Sequence, residues 1–349
     1  MDQAARLLAL RLWRNCPHHH ARSIAPNRAG DLTRRRSAVA ASGDGATMGR
    51  IMIFRNAVLA ALALALAPAG VLASPPAPAH AVYGDNPAAG GYFEHDGVKL
   101  YYEIYGAGPP LLLIHGNGAN IWSMKNQIAF FSQHYRVIAM DSRDHGRSGD
   151  AAGALTFEAM TDDLAALLDH LHTGPVLVLG WSDGGIEALL LGIRHPDKVI
   201  KIAAMAANLD PEGIAPEFLK LEGAPPKTDP GHTPTRAERV SALDRDEPHI
   251  KPDALQAITA PTLVLASDHD AIADEHTLEI YHHLPNAQLV IFPGATHMIP
   301  VDDPDLFNAA VDRFFRAPFV KTDRIAGLLK SIARLNAEYA KEHAALDAK

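Results

Sequence analysis

The chain of 349 residues has one cysteine, Cys16, in its first few dozen positions. Everything after it must fold without disulfides or thiol chemistry, so stability has to come from an apolar core. No apolar run reaches the roughly 20 residues that a membrane-crossing helix needs. Positive charge is scarce in residues 82–349, where 22 basic residues face 37 acidic ones, a formal charge near −15. A surface that acidic argues against nucleic acid or anionic membrane as a partner. No group of His, Cys, Asp or Glu has metal-ligand spacing and no glycine-rich loop suits a phosphate, so neither metal nor cofactor is expected. Aromatic residues make up only 6%, which leaves pocket size open.

What is present is ordinary for a globular protein: 48% hydrophobic and 21% charged residues. The length suits one α/β domain of about 250–300 residues with extensions. Residues 1–81 stand apart, with ten arginines, three acidic residues and no lysine. Within them, Arg50 and Arg55 precede the small and apolar run Ala57–Ala67, then Pro68, Gly70 and the small-residue sites Val71-Leu72-Ala73 and Ala79-His80-Ala81. That layout predicts a secretory signal over 48–81, a periplasmic or secreted protein, and no stable membrane anchor. Residues 1–47 read as an unstructured leader that stems from a mis-assigned upstream start, since Met48 begins a complete signal by itself, with an organellar transit segment as the alternative reading. His18-His19-His20 lie in this leader and are expected to be inert.

From residue 91 strand and helix signals alternate. Tyr92-Phe93-Glu94 and Lys99–Tyr105, separated by Asp96-Gly97, read as a hairpin. Further strands are expected at 111–114, 135–140, 175–179, 199–205, 262–266 and 288–292. Helices are expected between them, at 122–131, 156–172 (capped by Thr156 and Thr161), 185–195, 275–284 and 304–316. The alternation predicts an α/β fold, a doubly wound, mostly parallel eight-stranded sheet with helices on both faces and the hairpin at one edge. Its domain spans 82–317. Residues 208–255, rich in proline, glycine and charge, interrupt it as a small lid. Beyond 317 an amphipathic extension places Ile325, Leu328, Leu329, Ile332, Leu335 and Tyr339 on one helical face, with packing on the body as the expectation and a second subunit as the alternative.

The chemistry gathers at strand ends. Gly180-Trp181-Ser182-Asp183-Gly184-Gly185 follows a buried strand and precedes a helix, the context of a nucleophile elbow. A serine hydroxyl needs a base to take its proton and a carboxylate to orient that base. The strand at 262–266 is followed by Ser267-Asp268-His269-Asp270, and the strand at 288–292 leads to His297. Ser182, an Asp, then His297 is the chain order of this type of site. Asp270, Asp268 and Asp210 are candidates for the acid. His269 and His276 precede the last strand and do not complete the order. A third strand end carries His115-Gly116-Asn117-Gly118, whose close backbone approach suits an oxyanion hole; the N–H groups of Asn117 and Asp183 are the natural donors. Asp183 equally suits capping of the following helix, and Trp181 and Asn120 are the remaining candidates for substrate contact.

These residues, with Leu113-Ile114-His115-Gly116, Asp141-Ser142-Arg143-Asp144-His145-Gly146-Arg147-Ser148 and Ala260-Pro261-Thr262-Leu263-Val264, resemble the α/β-hydrolase superfamily over about 90–317. The resemblance implies that fold and a triad of Ser182, His297 and Asp270, the acid that fits the family spacing. Where Asp144 stands the family usually has glycine, a departure with no catalytic consequence visible in the sequence. The elbow is similar to the valacyclovir hydrolase (biphenyl hydrolase-like) branch, which cleaves α-amino acid esters. That implies a contact between Asp183 and a substrate ammonium group. The expectation is an exported serine hydrolase acting on a small-molecule carboxylic ester through an acyl-enzyme. The alternatives are amide, lactone or C–C bond hydrolysis or perhydrolysis on the same fold, or a binding protein without turnover.

Overall fold

The computed structural model describes residues 82–218 and 232–347. The leader expected at 1–47, the signal expected at 48–81, Cys16, His18–His20 and part of the lid (219–231) lie outside the described residues. Eight strands build the sheet: β1 Gly90–His95, β2 Val98–Tyr105, β3 Pro110–Ile114, β4 Arg136–Asp141, β5 Val176–Trp181, β6 Val199–Met205, β7 Thr262–His269 and β8 Ala287–Thr296. Their order is β1-β2-β4-β3-β5-β6-β7-β8. The β1–β2 hairpin turns at Asp96-Gly97, both with positive φ as a tight two-residue hairpin turn requires. β2 pairs antiparallel with β4, and every later pairing is parallel. The expected doubly wound sheet is present, with its antiparallel hairpin at one edge.

Alternation along the strands explains why helices cover both faces, since successive side chains of a strand point to opposite sides. Leu112 and Ile114 of β3 and Val176 and Val178 of β5 join one core. Its cover is α2 (Phe157–His170) and α3 (Asp183–Arg194). Leu111, Leu113, Leu177 and Leu179 face the other way, onto α1 (Lys125–Phe131) and α6 (Pro304–Arg316). Thr156 caps α2 by accepting the N–H of Ala159 at 3.2 Å. Thr161, expected as a second cap, lies inside that helix and is buried, because the helix already begins at Phe157.

The segment expected as a lid carries α4 (Arg236–Asp246), opened by a capping box between Thr235 and Glu238. α5 (Asp274–His283) follows β7. The last helix, α7 (Arg324–Asp347), does not pack on the body as expected. Ile325, Leu328, Leu329, Leu335 and Tyr339 on its apolar face are 40–64% exposed. Phe307, Val311, Phe314 and Phe315 of α6, by contrast, are part of the core.

Candidate active site

β5 delivers Ser182 into a turn that few residues can make. Its φ of 59° and ψ of −122° are strained for any side chain larger than glycine. The turn closes because its neighbours have no side chain. A Cβ on Gly180 would lie 1.8 Å from the carbonyl oxygen of Gly184, and one on Gly184 would lie 2.2 Å from that of Ile114. The Ser182 N–H donates to the carbonyl of Met205 at 2.8 Å, which ties the elbow to β6. Because α3 opens at Asp183, the serine sits at the positive end of a helix dipole.

His297 follows the end of β8 and faces the serine. Its Nε2 lies 3.1 Å from Ser182 Oγ, and its Nδ1 lies 2.6 Å from Asp270 Oδ1. An ionised carboxylate only accepts, so Nδ1 carries the proton and Nε2 is left to accept the serine hydroxyl. The Asp270 side chain is fully buried, and its other oxygen accepts the N–H of Ser267 at 3.0 Å. The indole N–H of Trp181 donates to the His297 carbonyl at 3.0 Å, so this candidate substrate residue braces the histidine segment.

The other acid candidates sit elsewhere. Asp268 accepts the N–H groups of Gly294 (2.8 Å) and Ala295 (3.1 Å), which hold its carboxyl below the ordinary range. It sits at the register shift between Ser267 and His269, where the pairing of β7 with β8 is interrupted. Asp210 caps the turn Pro211–Gly213, and His276 Nε2 accepts the N–H of Leu209.

The β3 loop passes directly beside the serine: a Cβ on Gly116 would lie 3.0 Å from Ser182 Cβ. Two buried histidines shape it. His115 Nε2 accepts the N–H of Ser142 and His145 Nε2 accepts that of Gly118, each at 3.1 Å, while each Nδ1 donates to a carbonyl at 2.8 Å. Burial pushes each ring down to about 4, so both are neutral braces at physiological pH. Asn120 accepts the N–H of Trp122 at 3.0 Å, so its side chain caps the turn Ile121–Met124. It also lines a cavity of about 540 Å³ shared with Asn117, His145 and Val240. Asp183 is buried at the start of α3.

Two buried carboxylates near the site carry little or no mark in the sequence. Asp144 has a fully buried carboxylate paired with Arg239 of α4, and the only signal was a non-glycine where the family usually has glycine. Glu187, one turn beyond Asp183 on α3, is also fully buried. Nothing in its local pattern marked it.

The family model described as alpha/beta hydrolase fold matches residues 109–232. The chain is 28% identical over 250 residues to 3-oxoadipate enol-lactonase 2 of Acinetobacter baylyi, covering 62% of this chain and 92% of that one. It is 27% identical over 270 residues to a non-heme haloperoxidase of Rhodococcus erythropolis, covering 64% and 97%. Among solved structures, a thermophilic esterase from Thermogutta terrifontis with malate bound matches with a TM-score of 0.53 at 27% identity, covering 64% of this chain and 96% of that one.

Proposed function

This chain belongs to the α/β-hydrolase fold superfamily, and from that premise we propose a serine hydrolase that cleaves a carboxylic ester through Ser182, His297 and Asp270. The observation that carries the reading is the unbroken chain of contacts from Ser182 Oγ to His297 Nε2 at 3.1 Å and from His297 Nδ1 to Asp270 at 2.6 Å. Ser182 Oγ attacks the ester carbonyl as His297 Nε2 takes its proton. The N–H groups of Asn117 and Asp183 receive the developing oxyanion. Collapse of the tetrahedral intermediate expels the alcohol, which takes the proton from His297. Water then adds to the acyl-enzyme with His297 again as base, releasing the acid and restoring Ser182. Asp270 holds the imidazole in the tautomer both halves need.

A lactone is a cyclic ester and needs no different machinery, and the enol-lactonase relative favours it as the second reading. The layout of residues 48–81 supports export to the periplasm or beyond the cell. Replacing Ser182 by Ala tests the mechanism. Hydrolysis of p-nitrophenyl acetate should fall by at least about 10⁴-fold, with fluorophosphonate labelling lost and the melting temperature unchanged. Retained turnover in that variant overturns the reading. A panel setting linear esters against lactones separates the two substrate classes.

A further inference from the structure

Asp144 lies in the loop after β4 with φ at 62°, a left-handed conformation that glycine adopts more readily. Its carboxylate grips Arg239 of α4 with two bonds of 2.7 Å, and Oδ1 also accepts the N–H of Ala151 at 2.9 Å. Three residues earlier on α4, Arg236 donates to the carbonyl of Ser148 at 2.7 Å and pairs with Asp150. One residue past Arg239, the carbonyl of Val240 accepts a bond of 3.0 Å from Nδ2 of Asn117. The helix is therefore clamped to the β4 loop through Arg236 and Arg239 and holds the β3 loop through the carbonyl of Val240. Asn117 is the residue whose backbone N–H is assigned above to the oxyanion.

We propose that the Asp144–Arg239 pair is a positioning device for acyl transfer: it fixes α4 where the Val240 carbonyl holds Asn117, and so aligns the oxyanion loop with Ser182. The inference rests on the serine-hydrolase reading. A bidentate guanidinium–carboxylate pair fixes both the distance and the plane of its partners, which a single surface charge pair does not. Both groups are largely shielded from water, with the Asp144 side chain fully buried and that of Arg239 11% exposed. A strained non-glycine residue persists only where its surroundings hold it, and this pair does so. Asp144 thereby gains a role that its sequence position did not suggest.

The test compares wild type with Arg239→Gln, Asp144→Gly and the double variant Asp144→Gly/Arg239→Met. The double variant leaves no unpaired buried charge and relaxes the backbone, so it keeps the protein folded. With p-nitrophenyl acetate, kcat should fall by about 10–100-fold while KM stays within about twofold, the loss expected when a donor is displaced rather than removed. The rate of fluorophosphonate labelling should fall by the same factor, and adding Asn117→Ala to Arg239→Gln should cost no more than either alone. A rise in KM with unchanged kcat would make α4 a pocket wall only and overturn the proposal. Unchanged kinetics in the folded double variant would overturn it equally. Absence of turnover and labelling in the wild-type protein would instead count against the serine-hydrolase reading itself.

Discussion

Asp270 and Glu187 are both sealed from water near the same elbow, in opposite surroundings. Asp270 follows a strand, in a loop whose backbone donors are not consumed by regular structure. It accepts bonds from His297 and from the N–H of Ser267. Glu187 sits inside α3, where the backbone N–H groups serve the helix, and neither of its oxygens finds a partner among the described residues. Burial, with the nearby charge of Asp163, pushes its carboxyl well above the ordinary range. Asp163 is the intermediate case: it too is buried on a helix, but Arg143 reaches it with two bonds of 2.6 Å and His95 with one of 2.7 Å. A carboxylate stays ionised in the interior only where donors from other elements converge on it.

The largest effect should come at the best-served carboxylate. Asp270→Asn should lower kcat by about 10⁴-fold, because an amide permits the wrong tautomer of His297, with little change in melting temperature. Steady-state kinetics showing less than a tenfold loss would mean that Asp270 does not orient the histidine. Next comes Asp163→Asn, which strands Arg143 and should destabilise the fold by about 3–5 kcal/mol in urea unfolding. A loss below about 1 kcal/mol would put the pair among ordinary surface ion pairs.

The smallest effect runs the other way. Glu187→Met removes a buried polar group without partners and should stabilise the protein by about 1–3 kcal/mol at pH 8. The sign follows from linkage. A carboxyl raised in the folded state contributes its stability below the unfolded carboxylate range, near pH 4.3, and loses it as pH rises toward the folded value. The advantage of the variant should therefore widen from pH 5 to pH 9 in thermal melts. A constant gap across that range would show that Glu187 is not neutral when buried.

Ser182 and His297 were legible in the sequence because an elbow and a strand end are local patterns. The choice between Asp268 and Asp270 was not legible from the residues themselves. It turns on β7 continuing to His269, which leaves Asp268 at the rim with Gly294 and Ala295 and puts Asp270 in the turn that follows. Asn120 looked free to meet substrate, yet it caps a turn. Asp144 looked inconsequential because its partner, Arg239, lies 95 residues away. Both α6 and α7 have an apolar stripe, yet that of α6 lies in the core while that of α7 is exposed.

Local sequence pattern is enough for the alternation of strands and helices, the glycine-framed elbow and the order of serine, acid and histidine. Each depends on spacing or on backbone freedom within a few residues. The tertiary packing settles which aspartate meets His297, what Asp144 holds, why Glu187 lacks a donor among the described residues and which apolar stripe is covered. Those outcomes depend on which loops the sheet brings together, and loop ends far apart in the chain meet only once the strands are in order.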